Sequence, residues 1–205
     1  MDVERVLGLD MSTKTGFTLL ISDASGMVLE EYGQIPQIHT PEGAYPESFI
    51  IWSHAVVDEI VKVIERLKPN VLVIEETAAG SKAIYTQKIL EWIHYLVAKY
   101  IVDKRLKVVY IMTGQWRSEI GCSMSKEESK HNKTVKEYKK KNSTSLAYDI
   151  SGKRIGKITK KHVNVRRINE IFGKYLKTPL KMKDEDAADS LGLAYAYHLR
   201  RIARK

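Results

Sequence analysis

The chain has 205 residues, of which 43% are hydrophobic and 29% charged, and a formal net charge of +9. These proportions argue against wholesale disorder and against a membrane protein, since no apolar run approaches the roughly 20 residues that span a bilayer. The lone Cys122 excludes an internal disulfide and no histidine joins it at a zinc-like spacing, whereas the positive charge points to a polyanionic partner.

The length suits a single domain over 1–205. The N-terminus leads at once into an apolar strand, so an intracellular, cytoplasmic location is expected. That strand, residues 6–9, ends in Asp10 and is followed by a small polar turn and Gly16. Apolar segments at 17–21 and 27–35 flank Ser22-Asp23-Ala24-Ser25-Gly26, whose residue types favour a tight reversal. Together these predict a three-stranded antiparallel meander. Beyond a loop with Pro36, Pro41, Gly43 and Pro46, the spacing of Phe49, Val56, Val57, Ile60, Val61, Ile64 and Leu67 predicts an amphipathic helix, stopped by Lys68-Pro69-Asn70. Residues 71–74 read as a buried strand opening onto Glu75 and Glu76. A helix over 83–102 is apolar over a broad face, which suits either the core or a second subunit. Residues 108–112 form the next strand.

From 123 to 161 the character changes. Ser125-Lys126-Glu127-Glu128 has the form of a capping box, which predicts a helix to about Lys141. Segments 146–150 and 155–158, joined by Ser151-Gly152-Lys153-Arg154, predict a β-hairpin. Residues 126–161 hold twelve Lys or Arg against four Asp or Glu, so about eight of the nine net charges are concentrated there. Lysines on a helix and hairpin, with Lys153, Arg154 and Lys157 near the tip, read as an arm that contacts phosphates; the alternative is a solvated elaboration. Helical stripes return over 163–176 and from near Asp184 to a basic C-terminus.

Carboxylates close apolar elements in three separated places: Asp10, the Glu75-Glu76 pair, and Asp184-Glu185-Asp186-Ala187-Ala188-Asp189. Asp186 and Asp189, three apart in the first turn of a helix, share one face. Strand alternation puts Glu75 and Glu76 on opposite faces and leaves the choice between them open. Carboxylates without histidine or thiol partners specify hard cations, Mg²⁺ or Mn²⁺. Two such ions suit an in-line phosphoryl displacement.

Leu7-Gly8-Leu9-Asp10 with Thr15-Gly16, Val73-Ile74-Glu75, and Asp186-Ala187-Ala188-Asp189-Ser190-Leu191 resemble the three acidic motifs of RuvC-type Holliday junction resolvases in the ribonuclease H-like superfamily. The resemblance covers most of the chain outside 123–161. It implies an α/β fold: a mixed sheet of the meander plus two parallel strands, flanked by helices, with the basic helix and hairpin inserted. It also implies Asp10, Glu75, Asp186 and Asp189 as catalytic residues and as ligands of two Mg²⁺ ions, replaceable by Mn²⁺. The implied protein is a homodimer that nicks branched DNA symmetrically, with the helix over 83–102 as its dimer surface. Met11-Ser12 departs from the family's Pro-Gly, and the longer insertion resembles phage or viral relatives. Thr113-Gly114-Gln115-Trp116-Arg117 reads as a loop near the metals, where Arg117 would bind a phosphate and Trp116 would stack on a base or fill the core. Lys14 and Lys82 are further DNA-binding candidates. A less selective nuclease of the same superfamily, acting on flaps, RNA or hybrids, is the alternative. The opening Gly-Leu-Asp also occurs in actin-like ATPases and sugar kinases, which need a second domain that this chain has no room for.

Overall fold

The computed structural model describes residues 2–39, 41–76 and 84–204, with backbone alone at 84–86. Its centre is a five-stranded sheet in the order β3-β2-β1-β4-β5. Strands β1 (Glu4–Asp10), β2 (Gly16–Ser22) and β3 (Met27–Gln34) form the antiparallel meander, and β4 (Val71–Glu76) and β5 (Lys107–Met112) extend it in parallel. The reversal after β2 is held by Asp23, whose Oδ1 accepts from the Ser25 and Gly26 amides. The mixed α/β sheet is the one the sequence predicts.

Strand alternation divides the core in two. Leu7, Leu9, Leu19, Leu72 and Ile74 pack under helices α1 (Glu47–Leu67) and α2 (Ile84–Lys104). Val6, Leu20, Val71, Val73 and Ile111 face the other way, under α3 (Thr113–Glu119), α5 (Lys160–Phe172) and α6 (Glu185–Ala203). Between α3 and α5 stand α4 (Lys126–Lys141) and the short strands β6 (Ala147–Tyr148) and β7 (Arg154–Ile155). No helix among the described residues is long and apolar enough to cross a membrane.

Helix α6 lies unusually close to β1 and β2 because two strand positions lack side chains. A Cβ on Gly8 would come 2.5 Å from the Ser190 carbonyl, and one on Gly16 would overlap the Asp186 carbonyl. The register is then locked by buried polar pairs, Thr18 Oγ1 with Ser190 Oγ at 2.7 Å and Ser22 Oγ with His198 Nδ1 at 2.8 Å.

Three local expectations need correction. Residues 113–117 are not a loop but the body of α3, because Trp116 is fully buried and gives the segment a core-facing side. The hairpin strands are two residues each, with Arg154 inside β7. Asp149 draws its turn tight by accepting from the Ser151 and Lys153 amides, and outside Ala147 the flanking strands have little to bury. Helix α5 starts at Lys160 rather than near 163, capped by Thr159, and ends at Phe172 before Gly173. The capping box at Ser125 and Glu128 is present as expected.

Gly8→Ala is expected to cost about 1–3 kcal/mol in chemical denaturation, because the overpacked helix has backbone rather than a flexible side chain in its way. Gly114→Ala, where a Cβ meets nothing within 4 Å among the described residues, should instead be neutral or stabilise by about 0.5–1 kcal/mol.

Candidate active site

Strands β1 and β4 run in parallel, with Leu9 paired to Ile74. One residue further, Asp10 and Glu75 stand side by side at the C-terminal edge of the sheet. Asp10 continues the face of Val6 and Gly8, and Glu75 that of Val71 and Val73; both therefore lie on the side that α6 covers. Alternation alone left the two glutamates equivalent, and the position of α6 separates them. Glu76 is exposed and turned to the opposite face. The first turns of α6 bring Asp186 and Asp189 over the same edge.

Three of the four acids are held by neutral or cationic donors. Glu75 accepts from Thr113 Oγ1 at 2.5 Å and from Trp116 Nε1 at 2.8 Å. Asp189, only 6% exposed, accepts from Asn164 Nδ2 at 2.5 Å and from Arg117 Nη2 at 3.1 Å. Asp186 accepts from Gln34 Nε2 at 3.3 Å and lies 3.7 Å from the Lys14 ammonium. The Asp10 carboxylate accepts no hydrogen bond among the described residues. In this arrangement no three acidic, histidine or cysteine side chains among those residues converge as a finished ligand set. The oxygens of Glu75 and Asp189 are turned onto their protein donors.

The four groups nevertheless feel one another. Burial, then the charges of Asp189, Glu75 and Asp186, push the Asp10 carboxyl well above its ordinary range. Burial raises Asp189 to about 6 against the pull of Arg117. Asp186 is raised as well, by burial above all, while Lys14 and Lys161 oppose the shift. Lys161 Nζ donates to Glu185 at 2.5 Å. Burial would lower its pKa, but Glu185, Asp186 and Asp189 outweigh that and keep it charged.

Of the DNA-binding candidates, Lys14 stands at the rim of this cluster. Arg117 is not free to bind phosphate in this arrangement: it pairs with Asp189, is largely buried, and lies 4.8 Å over the Trp116 ring. Trp116 is no stacking platform, since its fully buried ring packs where Gly192 leaves room on α6. Lys153, Arg154 and Lys157 are exposed on the hairpin and the strap after it. Lys82 lies outside the described residues. Sequence reasoning missed Gln34, Thr113, Lys161 and Asn164. Lys161 closes the basic stretch and Thr113 opens the 113–117 segment, so each carried a signal. Gln34 and Asn164 carried none, being distant in sequence from the acids they bond.

No protein-family model and no curated protein sequence matches the chain. Solved structures do. The structure of Thermus thermophilus RuvC in complex with a Holliday junction substrate is 12% identical, covering 96% of this chain and 94% of that one with a TM-score of 0.61. A second structure of Thermus thermophilus RuvC is 14% identical over 97% and 96%, with a TM-score of 0.58. The yeast mitochondrial Holliday junction resolvase Ydc2 is 13% identical over 98% of this chain and 81% of that one, with a TM-score of 0.56. The mixed five-stranded sheet flanked by helices and the near full-length superposition agree, and the chain therefore has the ribonuclease H-like fold in the form seen in RuvC.

Proposed function

We propose that this chain is a divalent-metal-dependent endonuclease that resolves four-way DNA junctions by paired symmetric nicks. The observation that carries the reading is the gathering of Asp10, Glu75, Asp186 and Asp189, from three separate elements, at one edge of the sheet. It is supported by the fold shared with RuvC, which has been solved on a Holliday junction substrate, and with a Holliday junction resolvase of yeast mitochondria.

The donor set fits Mg²⁺ or Mn²⁺. It consists of carboxylate oxygens alone. The nearest thiol, Cys122, is pushed up to about 11 by burial and stays protonated. The raised acids are also what a dication would offset. When bound by Asp10, Glu75, Asp186 and Asp189, two such ions supply the Lewis-acid chemistry of phosphodiester hydrolysis, which leaves a 5′-phosphate and a 3′-hydroxyl. The chain's own groups prepare the site. Thr113, Trp116 and Asn164 fix the rotamers of Glu75 and Asp189, as outer partners of ligating carboxylates do. Arg117 offsets the charge of Asp189, while Lys14 and Lys161 place positive charge at the rim of the acids and attract the DNA backbone. The lysines of α4 and the hairpin extend that attraction, with affinity that falls as salt rises.

A homodimer supplies the second active site that symmetric nicking needs. Helix α2 suits the interface, since Ile93 and Val97 are buried while Trp92, Tyr95 and Val102 remain 40, 66 and 73% exposed.

With Mg²⁺ and a synthetic four-way junction, paired nicks are expected at symmetric positions, absent with chelator or in Asp10→Asn. Asn164→Ala should slow cutting about 10–100-fold. Equal cutting of a flap or an RNA–DNA hybrid would replace this reading with the less selective nuclease. The raised carboxyls give a pH signature. They bind protons more tightly in the fold than in the unfolded chain, so their contribution to stability is full below the ordinary carboxylate range and is lost as pH rises through about 6 for Asp189. In chelator, Asp10→Asn should therefore raise the melting temperature by a few degrees at pH 7.5 but not at pH 4. Mg²⁺ should stabilise the native chain, and progressively less as pH falls below about 6, as differential scanning fluorimetry would record. In sedimentation velocity, Tyr95→Asp should shift a dimer to monomer and leave only unpaired nicks; an unchanged dimer would place the interface elsewhere.

A further inference from the structure

Beside the acids lies a cavity of about 560 Å³ for which the chemistry above has no use. Thr113 and Arg117 line it, and these are the residues that hold Glu75 and Asp189. The cavity thus opens within one side chain of the carboxylate edge. Its volume is in the roughly 300–1,000 Å³ range of small-molecule pockets, which combine apolar walls with a few placed polar groups.

The lining is specific in chemistry. Met124 and Val163 give an apolar wall, and the Met124 sulfur is held by Asn132 Nδ2 at 3.2 Å. Ser118 and Ser123 supply hydroxyls, Arg117 and Lys160 supply positive charge, and no acidic side chain is among the described lining residues. The Arg117 Nε is buried and has no hydrogen-bond partner among the described residues. Cys122, also in the lining, donates its thiol to Asn164 Oδ1 at 3.3 Å, and Asn164 in turn donates to Asp189. Whatever fills the cavity therefore bears on a residue that orients a catalytic acid.

We propose that this cavity receives a nucleobase, unstacked from the strand whose phosphate lies at the acids, and that the fit of that base sets which sequence is cut. The inference rests on the nuclease reading above. An apolar wall suits the faces of a base, the serine hydroxyls and the buried Arg117 Nε suit its edge, and Lys160 suits a flanking phosphate. A branch point offers bases with broken stacking, for which extrusion costs least. The interior of a duplex does not.

Gly114 provides the test. It lines the cavity on an exposed part of α3, and a Cβ there meets nothing within 4 Å among the described residues, so Gly114→Leu adds bulk at the cavity without contacting the residues that hold the acids at its Cβ. 2-Aminopurine, which brightens when unstacked, is placed in turn at each position around the branch of a four-way junction and bound in EDTA, where no strand is cut. The native chain should brighten it at a defined position, and Gly114→Leu should bind the junction equally well without brightening. With Mg²⁺ and a junction library, the native chain should prefer one base at that position by about tenfold or more, and Gly114→Leu should lose the preference. No brightening at any position, or the same brightening in Gly114→Leu, overturns the pocket whether or not the chain cuts DNA. A native chain that brightens the probe but never cuts with Mg²⁺ overturns the nuclease reading and leaves the pocket standing.

Discussion

The separation between α6 and the sheet is the constraint on which the rest depends. A helix that carries two acids reaches the carboxylate edge of β1 and β4 only if it lies almost on the backbone of β1 and β2. Gly8 and Gly16 make that possible by presenting no Cβ to the Ser190 and Asp186 carbonyls. Ala187, Ala188 and Ala194 keep the helix side of the contact equally thin. The Thr18–Ser190 bond then fixes where along β2 the helix sits. A slide of one turn, about 5.4 Å, would carry Asp186 and Asp189 away from Asp10. The small residues around the acidic motifs are thus the reason the motifs meet.

Bringing four carboxylates into one half-buried corner opposes folding, and the surrounding donors show how the chain tolerates it. Arg117 offsets Asp189, Lys14 offsets Asp186, and Lys161 bears on both. Asp10 accepts no hydrogen bond among the described residues, and burial with its three acidic neighbours pushes it well above its ordinary range against the pull of Lys161. Such concentrations of mutually destabilising groups are typical of functional sites, where local stability is given up for chemistry.

Much of this was legible in the sequence, for identifiable reasons. Short apolar runs broken by turn residues fixed the five strands, and the Asp186–Asp189 spacing placed two acids on one helix face. The capping box at Ser125 located α4 to the residue. What stayed hidden was decided by contacts across long stretches of chain. The choice of Glu75 over Glu76 depends on which face α6 covers. Arg117 read as a DNA contact, and Trp116 stayed open between base stacking and the core, because their partners, Glu75, Gly192 and Asp189, are tens of residues away. Gln34 and Asn164 have no local pattern at all, being single polar residues whose meaning comes from the carboxylate opposite. The hairpin was overdrawn because its apolar residues suggest strands, yet Ile150 is fully exposed and has nothing to pack on.

The basic segment between α3 and α5 is built to stand by itself. Val135 of α4 and Ala147 of β6 are fully buried outside the two main core clusters, and Asn132 pairs through its side-chain N–H and C=O with the backbone of Ile158. At its base, Arg166 of α5 bonds the Ser123 carbonyl and Glu128. None of its strands joins the central sheet. Replacement, lengthening or recharging of α4 and the hairpin, beyond the cavity-lining residues 121–124, would leave the sheet and the acidic corner as they are. Selection can therefore tune grip on nucleic acid and tolerance of ionic conditions in this appendage, while the cutting chemistry evolves under a separate and much stricter geometric regime.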